Sequence, residues 1–482
     1  MRRGQGRWGR TSFGPSRRRA LAATLCLASA VVLGVLPTGS ASAARGLETG
    51  FGEYFFESED ASERTLLFDS AREAGAGIVR LDASWRQTVR SQPVAPRDPN
   101  DLAYDFSRID AAAREADARG LDILLTVHSA PVWAEGPGRP ANQPDDYSGS
   151  WRPDPGALTD FAIALATRYS GGFTPPGQPT LPRARYYEAW NEPNLPNFIT
   201  PQWEGTTPTG ADVFRAVLNA FYDGVKSVRQ DNVVVSGGLA PYGDPPGERR
   251  TRPVAFIRDL LCLQGRKQLK PTSCPDPARF DVLAVHPINT SGGPGVEAIH
   301  PDDASSADID RVGRVLRAAE RKNTIATAGR HPIWATEFWW ESKPQGNAPK
   351  PKKHARWIAD ALYRFWKQGV SVAIMFQVRD DPDLNFLQAG VLYFDAKRKP
   401  AFQAFRFPFV LERTSGKRLR VWSKVPDSGK LKVQRRDKGG WRRLTRSSVR
   451  AGQIYTTTLR TEQGGRYRAV LGGEKSLVWR QR

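Results

Sequence analysis

Short apolar runs alternate with amphipathic stretches along most of this chain, from Gly50 to about Arg406. In the amphipathic stretches apolar residues recur at spacings of three and four, as in Val213, Val217 and Ala220, which predicts helices. The apolar runs between them are rich in β-branched and aromatic residues, as buried parallel strands are. The predicted strands are Phe51–Phe55, Gly77–Leu81, Ile123–Val127, Arg185–Trp190, Val233–Ser236, Phe280–Val285, Ile333–Thr336 and Val372–Phe376.

Eight strands that alternate with helices predict an α/β fold, a (β/α)8 TIM barrel. A doubly wound sheet is the alternative, but no glycine-rich phosphate-binding turn follows the first predicted strand, so the barrel is favoured. Barrel sites lie at the carboxyl ends of the strands, and candidate functional side chains follow several of these runs. They are Arg80, His128, Asn191, Glu192, His286 and Glu337.

After Phe407 the pattern changes to an alternation of apolar and polar residues between glycine-containing turns. The predicted strands are Arg418–Trp422, Lys430–Arg435, Ile454–Leu459 and Tyr467–Val470. Short strands of this kind are typical of a small antiparallel β-sandwich. We therefore predict a catalytic-type barrel domain over residues 44–406 and a β-sandwich accessory domain over residues 407–482.

The N-terminus has the composition of a secretory signal. Met1–Arg19 contains seven arginines and no acidic residue, and the apolar run Leu21–Leu36 and the small residues Ala41-Ser42-Ala43 follow. These features predict a signal peptide over residues 1–43 that is cleaved before Ala44, and a secreted protein without a stable membrane span. An uncut membrane anchor is the alternative.

Two cysteines, Cys262 and Cys274, remain once such a signal is removed. In an oxidising compartment an even pair closing a short loop predicts one disulfide, here between strands five and six. Two unrelated buried thiols are the alternative. Neither cysteine has a histidine at ligand spacing, so we predict no metal site and no cofactor.

The formal net charge of +21 is unevenly distributed. Residues 407–482 hold 20 Lys and Arg against 5 Asp and Glu, whereas residues 44–406 hold 44 against 45. A basic segment on a nearly neutral body either binds a polyanion, such as an anionic cell-wall polymer, or is a solvated basic sandwich packed on the barrel. An exported chain without a nucleic-acid reader motif is not expected to bind nucleic acid. We expect a monomer.

The stretch Trp190-Asn191-Glu192-Pro193-Asn194 delivers an amide and a carboxylate at the end of predicted strand four. Such a pair suits sugar hydrolysis, in which the acid protonates a glycosidic oxygen and the amide holds a sugar hydroxyl. Glu337 ends predicted strand seven, three strand–helix units later. The ends of strands four and seven face each other across the mouth of a barrel, so the two glutamates can form a catalytic pair.

These residues resemble the clan of retaining (β/α)8-barrel glycoside hydrolases that includes cellulase-like families 5 and 39, over about Gly50–Arg406. The resemblance implies that Glu192 is the acid/base and Glu337 the nucleophile, with Glu341 as the competitor for the second role. It also implies that Arg80 supports the nucleophile and that His128 contacts a substrate hydroxyl.

Two positions depart from the pattern of this clan. Ile288, in His286-Pro287-Ile288, stands where the clan carries a tyrosine that hydrogen-bonds the nucleophile, and Phe376 stands where it carries a tryptophan. Tyr54, Gln377 and the loop tyrosines are the candidates to supply the missing hydrogen bond.

Four tryptophans at or just past strand ends are candidate platforms for sugar rings, or core residues: Trp85, Trp133, Trp339 and Trp340. Together these observations predict an exported retaining glycoside hydrolase that cleaves β-linked poly- or oligosaccharides by double displacement. The alternatives are a non-catalytic carbohydrate- or cell-wall-binding protein on a barrel scaffold, and a wall-polymer-binding protein that acts mainly through residues 407–482.

Overall fold

The computed structural model describes residues 46–144, 147–460 and 464–481, so the predicted signal peptide lies outside the described residues. Eight parallel strands form a barrel in which neighbours in sequence are neighbours in space. The strands are β1 (Glu48–Gly52), β2 (Ile78–Asp82), β3 (Asp122–Val127), β4 (Tyr186–Asn191), β5 (Val233–Gly238), β6 (Leu283–Val285), β7 (Ile333–Phe338) and β8 (Val370–Phe376). Strand β1 pairs with β8, and the parallel bridges Val235–Val282 and Leu239–Val285 close the ring between β5 and β6. The predicted (β/α)8 fold is confirmed.

A helix follows every barrel strand. The helices are α1 (Ala61–Glu73), α2 (Ser107–Ala118), α3 (Pro155–Arg168), α4 (Gly210–Val228), α5 (Pro253–Leu260), α6 (Ile309–Lys322), α7 (Pro351–Gln368) and α8 (Pro400–Arg406). Each buries one apolar face against the strands; α4, for example, buries Phe214, Val217 and Phe221. Gly369, at φ 105°, ends α7 in the left-handed conformation that glycine adopts without steric cost, and β8 begins at the next residue.

The interior of the barrel is filled in layers. An apolar layer contains Ile78, Leu124, Val235 and Trp334, with Tyr186 packed against it. Because side chains on a strand alternate between faces, residues two positions further on also point inward. On β2, β3 and β4 these are Arg80, Thr126 and Glu188, which form a polar layer beneath the mouth of the barrel.

The first strand runs from Glu48 to Gly52, three residues earlier than predicted. The predicted bounds Phe51–Phe55 are therefore wrong. The aromatic residues after Gly52 belong to a turn, so the apolar run marked the end of the strand and the loop that follows it. The start of β1 is polar because Lys424, from the C-terminal part of the chain, covers it and donates to Thr49 Oγ1 at 2.9 Å. Burial lowers the pKa of Lys424 to about 8, although Glu48 opposes this shift.

The chain after α8 forms two antiparallel sheets. The strands are β9 (Phe409–Ser415), β10 (Arg418–Lys424), β11 (Gly429–Asp437), β12 (Gly440–Val449), β13 (Ile454–Arg460), β14 (Gly465–Leu471), β15 (Glu474–Lys475) and β16 (Trp479–Gln481). One sheet has the order β9-β10-β13, and the other has the order β12-β11-β14, with β15 and β16 both pairing with β14. All four predicted strands are present, but the sequence analysis missed β9, β12 and the short strands β15 and β16.

Polar contacts join these sheets to the barrel helices. Glu412 on β9 accepts hydrogen bonds from Tyr363 and Lys367 on α7, at 2.5 and 2.6 Å. Glu474 on β15 accepts from Gln403 and Arg406 on α8, at 2.9 and 3.1 Å. The C-terminal sheets thus contact the outer wall of the barrel at two helices.

Cys262 and Cys274 form a disulfide with a Cα–Cα distance of 5.7 Å, which confirms the predicted pairing. It joins the end of α5 to the loop that precedes β6. Among the residues that the structure describes, no helix is both long and apolar enough to cross a bilayer.

Candidate active site at the mouth of the barrel

A pocket of about 410 Å³ opens at the carboxyl ends of the barrel strands. Most of the barrel contributes to its lining, from β1 round to β4 and from β7 to β8. The polar and aromatic lining residues include Tyr54, Arg80, Asp82, His128, Asn191, Glu337 and Phe376. The structure therefore brings Arg80, His128, Asn191 and Glu337, which the sequence analysis had selected separately, to one cavity.

The end of β4 has an unusual backbone. Trp190 and Glu192 have φ angles of 76° and 36°, in the left-handed region that residues with a side chain rarely adopt. Such conformations cost on the order of 1–3 kcal/mol each, so surrounding contacts must hold them. The buried Trp190 indole donates to Phe198 O at 2.6 Å, and Glu192 N donates to Gly238 O at 3.0 Å. This twist brings consecutive residues at the strand end to the same site.

Arg80 connects three residues of the site. Its guanidinium donates to Glu188 Oε2 at 2.7 Å, to Asn191 Oδ1 at 2.7 Å and to Glu337 Oε2 at 3.3 Å. The expected proximity of Arg80 to Glu337 is thus observed. One guanidinium orients the amide of β4 and the carboxylate of β7 together, through the fork of donors that arginine provides.

Glu188 is a member of this site that the sequence analysis missed. It is fully buried and also accepts a hydrogen bond from Thr126 Oγ1 at 2.7 Å. Burial acts to raise the pKa of Glu188, but the charges of Arg80 and His286 outweigh it, so the pKa is lowered. A buried anion therefore lies beneath the mouth and balances the Arg80 charge.

His286, at the end of β6, lies between the two candidate catalytic carboxylates. Its Nδ1 is 3.1 Å from Glu192 Oε1 and 4.0 Å from Glu337 Oε2, and the ring is fully buried. These two distances limit the separation of the two oxygens to at most about 7 Å. Gly238 makes room for the ring, because a Cβ at that position would lie 2.1 Å from His286 Nε2.

Glu337 has a second donor besides Arg80. Trp339 Nε1 donates to Glu337 Oε1 at 3.2 Å, so each carboxylate oxygen accepts one hydrogen bond. Trp339 is half-buried, and neither it nor Glu192 nor His286 is among the residues that line the pocket. Glu341, the competitor from the sequence analysis, is not one of the residues that line the cavity.

Across the cavity, His128 Nε2 lies 3.0 Å from Asp82 Oδ1 and its Nδ1 lies 2.8 Å from Ser129 Oγ. Tyr54 is exposed and meets the ring of Phe376 edge-on, with the ring centroids 4.6 Å apart. Partial desolvation and the carboxylates of Glu337 and Glu53 raise the pKa of Tyr54. Tyr54 therefore lines the same cavity as Glu337. It remains a candidate for the hydrogen bond that the tyrosine replaced by Ile288 would make.

Gln377 does not supply that missing hydrogen bond. Its side chain is fully buried and donates to the backbone oxygens of Arg379 and Leu387, the latter at 3.2 Å. The amide nitrogen therefore serves the loop after β8, which removes Gln377 from the candidates.

Glu53 and Glu57, in the turn after β1, are two more lining acids without a role in the sequence analysis. Both are almost completely buried, at 4% and 3% exposure. Burial raises the pKa of Glu53 to about 7, against hydrogen bonds from the backbone amides of Arg379 and Val378. Burial and the charge of Asp82 also raise the pKa of Glu57 well above its ordinary value. The floor of the cavity thus holds carboxyl groups that resist ionisation.

Two of the four predicted sugar platforms are core residues. Trp85 has no exposed surface and stacks on Phe161, with 5.7 Å between ring centroids. Trp340 is 4% exposed and donates to Gly292 O at 2.9 Å. A buried indole cannot present a face to a sugar, so the predicted contacts of Trp85 and Trp340 are wrong. Trp133 is half-buried, packs edge-on against Trp85 and does not line the cavity.

Within the described ranges, no group of three or more His, Cys, Asp or Glu side chains is arranged to hold a metal ion. The chemistry available at the mouth is that of the side chains described above. It comprises a close pair of carboxylates, an imidazole between them, and an arginine that links one carboxylate to a neighbouring amide.

No family model and no curated protein matches this sequence. Among solved structures, the chain is similar to a family 39 glycoside hydrolase from the gut symbiont Bacteroides cellulosilyticus WH2, with a TM-score of 0.55 and 15% identity over 89% of this chain and 81% of that chain. It also matches a glucosidase from Croceicoccus marinus (TM-score 0.49, 14% identity, 87% and 93% coverage) and a family 39 β-xylosidase from Caulobacter crescentus (TM-score 0.49, 15% identity, 87% and 98% coverage). The first similarity shows a shared fold, and the predicted resemblance to these barrels is confirmed at that level.

Proposed function

We propose that this protein is a retaining glycoside hydrolase in which Glu192 is the general acid/base and Glu337 is the nucleophile. The observation that carries the proposal is the pair of carboxylates at the ends of β4 and β7, both within 4.0 Å of His286 Nδ1. Glu192 Oε1 and Glu337 Oε2 are at most about 7 Å apart, a bound that includes the spacing of retaining enzymes. Retaining enzymes place the two carboxyl groups about 5–5.5 Å apart, whereas inverting enzymes leave roughly 6.5–9.5 Å for a water molecule.

The surroundings of the two glutamates suit different roles. Glu337 accepts hydrogen bonds from Arg80 and Trp339, and donors on both oxygens orient an ionised carboxylate for attack on the anomeric carbon. The Glu192 carboxylate contacts His286 Nδ1, and its side chain is 17% exposed. Glu192 can therefore reach a leaving-group oxygen and later a water molecule.

The reaction then has two steps. Glu337 attacks the anomeric carbon while Glu192 protonates the glycosidic oxygen, which leaves a glycosyl-enzyme ester. Glu192, now a base, takes a proton from water, and the water oxygen attacks the same carbon and releases Glu337. Asn191 Oδ1 is occupied by Arg80, so the amide N–H groups remain to hold a hydroxyl of the sugar.

The substrate class follows from the cavity and the resemblance to this clan. We infer a β-linked poly- or oligosaccharide, with His128 and His286 among the polar contacts of the sugar and Trp339 as the aromatic one. The predicted signal peptide and the disulfide support export, and the chain is proposed to act as a secreted monomer.

Hydrolysis of a panel of aryl β-glycosides and polysaccharides by wild type, Glu192→Ala and Glu337→Ala tests the proposal. Glu337→Ala is expected to lose activity on every substrate, by about 10⁴-fold or more, because no covalent intermediate forms. Glu192→Ala should retain most of its kcat/KM on dinitrophenyl glycosides, whose leaving group needs no proton, although kcat falls because the second step lacks its base; on polysaccharides it should lose kcat/KM as well.

Azide gives a stereochemical readout of the two roles. With Glu337→Ala, azide should replace the nucleophile and yield an α-glycosyl azide from a β-glycoside; with Glu192→Ala, it should yield the β-glycosyl azide. A wild type that cleaves nothing, and whose polysaccharide binding is unchanged by both substitutions, would instead identify a non-catalytic carbohydrate-binding protein.

A further inference from the structure

A second cavity lies between the outer wall of the barrel and the C-terminal sheets. It has a volume of about 750 Å³ and is formed by the first half of α7, by α8, and by residues of β9, β11, β12, β14 and β16. Five cationic side chains line it: Lys352, Arg356, Arg436, Arg466 and Arg480. Not one acidic residue is among the described residues of its lining. We call this cavity the basic groove.

Four of the five cations of the basic groove form no ion pair within the described residues. Asp437, next in sequence to Arg436, pairs with Arg442 at 2.6 Å, outside the groove. Over the described part of the chain, Lys352, Arg436, Arg466 and Arg480 belong to no ion pair, although 18 of the pairs there join arginine to aspartate. Like charges gathered in a concave surface raise the local potential and concentrate anions.

Aromatic and aliphatic groups lie among these cations. The Arg356 guanidinium lies 3.8 Å from the centre of the Trp479 ring, and that of Arg436 lies 5.7 Å from Trp441. Leu477 and Val478 leave apolar surface exposed at the same groove. A surface that combines indole and aliphatic faces with cations fits pyranose rings that carry negative charge.

Trp479 also carries a donor that lacks an acceptor. The residue is 8% exposed, and its Nε1 is buried without a hydrogen-bond partner among the described residues. Buried polar groups in folded proteins nearly always have partners, so a water molecule or a ligand oxygen that a small movement of the Trp479 ring admits would satisfy this donor. This observation is independent of the charge of the groove.

We propose that the basic groove binds an acidic glycan, whose carboxylate or sulfate groups pair with Arg436, Arg466 and their neighbours. Residues 1–43 of the chain do not fit the groove as a ligand, because their charged side chains are all arginines. The site is separate from the proposed hydrolytic centre and does not depend on it.

Calorimetric titration of the full chain with an alginate oligosaccharide, a heparin oligosaccharide and a neutral cello-oligosaccharide tests this site. Wild type is expected to bind at least one of the two acidic probes, and which one it binds identifies a carboxylate or a sulfate ligand. The neutral probe should not bind at the groove. The double variant Arg436→Gln/Arg466→Gln should weaken acidic-probe binding about tenfold or more, because two charge-assisted contacts are lost.

The matched control is Arg418→Gln/Arg446→Gln, which removes two charges from exposed positions of β10 and β12 outside the groove. It should change affinity less than about twofold. An equal loss in both double variants, or no binding of either acidic probe, would overturn the proposal. So would duplex DNA that binds as tightly as the glycans with the same dependence on Arg436 and Arg466. Aryl β-glycoside hydrolysis, measured in parallel, reports separately on the proposed hydrolase.

Discussion

Arg80 Nε lies 2.7 Å from Glu188 Oε2, closer than Arg80 Nη1 lies to Glu337 Oε2, at 3.3 Å. The shorter ion pair is therefore the one with the buried residue that takes no direct part in the proposed reaction. Glu188 holds the guanidinium in place, and Arg80 in turn orients Glu337 and Asn191. In this arrangement Glu188 is a positioning residue.

Removing the charge of Glu188 should change both stability and catalysis. We expect Glu188→Gln to destabilise the protein by about 3 kcal/mol, because it leaves part of a buried ion pair uncompensated. With no anion to hold its guanidinium, Arg80 can move away from Glu337 and Asn191, so kcat should fall more than KM changes. Urea unfolding and steady-state kinetics measure the two effects. A loss of stability with an unchanged kcat would assign Glu188 a purely structural role.

Glu188 and Glu53 should give opposite dependences of stability on pH. The folded-state pKa of Glu188 is lowered, so its stabilisation is present above the ordinary glutamate value of 4.5 and is lost as the pH falls below it. The folded-state pKa of Glu53 is raised to about 7, so the folded state binds more protons between pH 4.5 and 7. Stability contributed by Glu53 therefore falls as the pH rises through that window.

Glu53→Gln should consequently stabilise the protein above pH 7, by up to about 3 kcal/mol, and have little effect below pH 4.5. A glutamine oxygen can still accept from the backbone amides of Val378 and Arg379. Chemical unfolding from pH 4 to 8 measures the difference from wild type. Glu59→Gln, at an exposed position of the same loop, is the control. A difference that does not vary with pH would contradict the assignment.

Gly238→Ala should damage catalysis through His286. The added Cβ would lie 2.1 Å from His286 Nε2, so the ring must move away from Glu192. Displacement of about 1 Å in an active site can reduce the rate on the order of 100-fold, and we expect kcat to fall more than KM changes. Gly473→Ala, where no heavy atom lies within 4 Å of the added Cβ, is the matched control. Equal kinetics for both variants would remove His286 from the site.

The disulfide should contribute to stability through a short loop. Cys262 and Cys274 are 12 residues apart, and closing a loop of this length stabilises a protein by about 3 kcal/mol on the chain-entropy account. The double variant Cys262→Ser/Cys274→Ser should lose about this amount in urea unfolding. Reductant should weaken wild type by the same amount and leave the variant unchanged. A reductant effect on the variant would show that another group is responsible.

The positions of the site were predictable where the chemistry lies at strand ends. Glu192 and Glu337 follow strongly apolar runs, and the number of strand–helix units between them placed them on facing strands. Glu188 could also have been found, because strand alternation puts it two residues beyond the inward-facing Tyr186, as Arg80 is two beyond Ile78. Apart from this alternation, nothing in the sequence around Glu188 indicated that it belongs to the site.

Other features depend on contacts that are distant in sequence. Strand β1 begins with polar residues because Lys424 covers them, so its apolar run gave the wrong start. The burial of Trp85 and Trp340 depends on how long loops fold back, which the spacing of tryptophans does not determine. Strand β12 was missed because its many arginines obscure the apolar alternation on which the prediction relied.

The contact between Lys424 and Thr49 has a consequence for engineering. Lys424 of the C-terminal sheets contacts the start of β1, and other residues of these sheets contact α7 and α8. Truncation after Arg406 would expose the start of the first strand. It would also remove Glu412 and Glu474, which accept hydrogen bonds from Lys367 and Arg406. The barrel therefore cannot be transferred alone. A chimera that carries the proposed active site into another protein would also have to include residues 407–482, which contact the start of β1 and the helices α7 and α8.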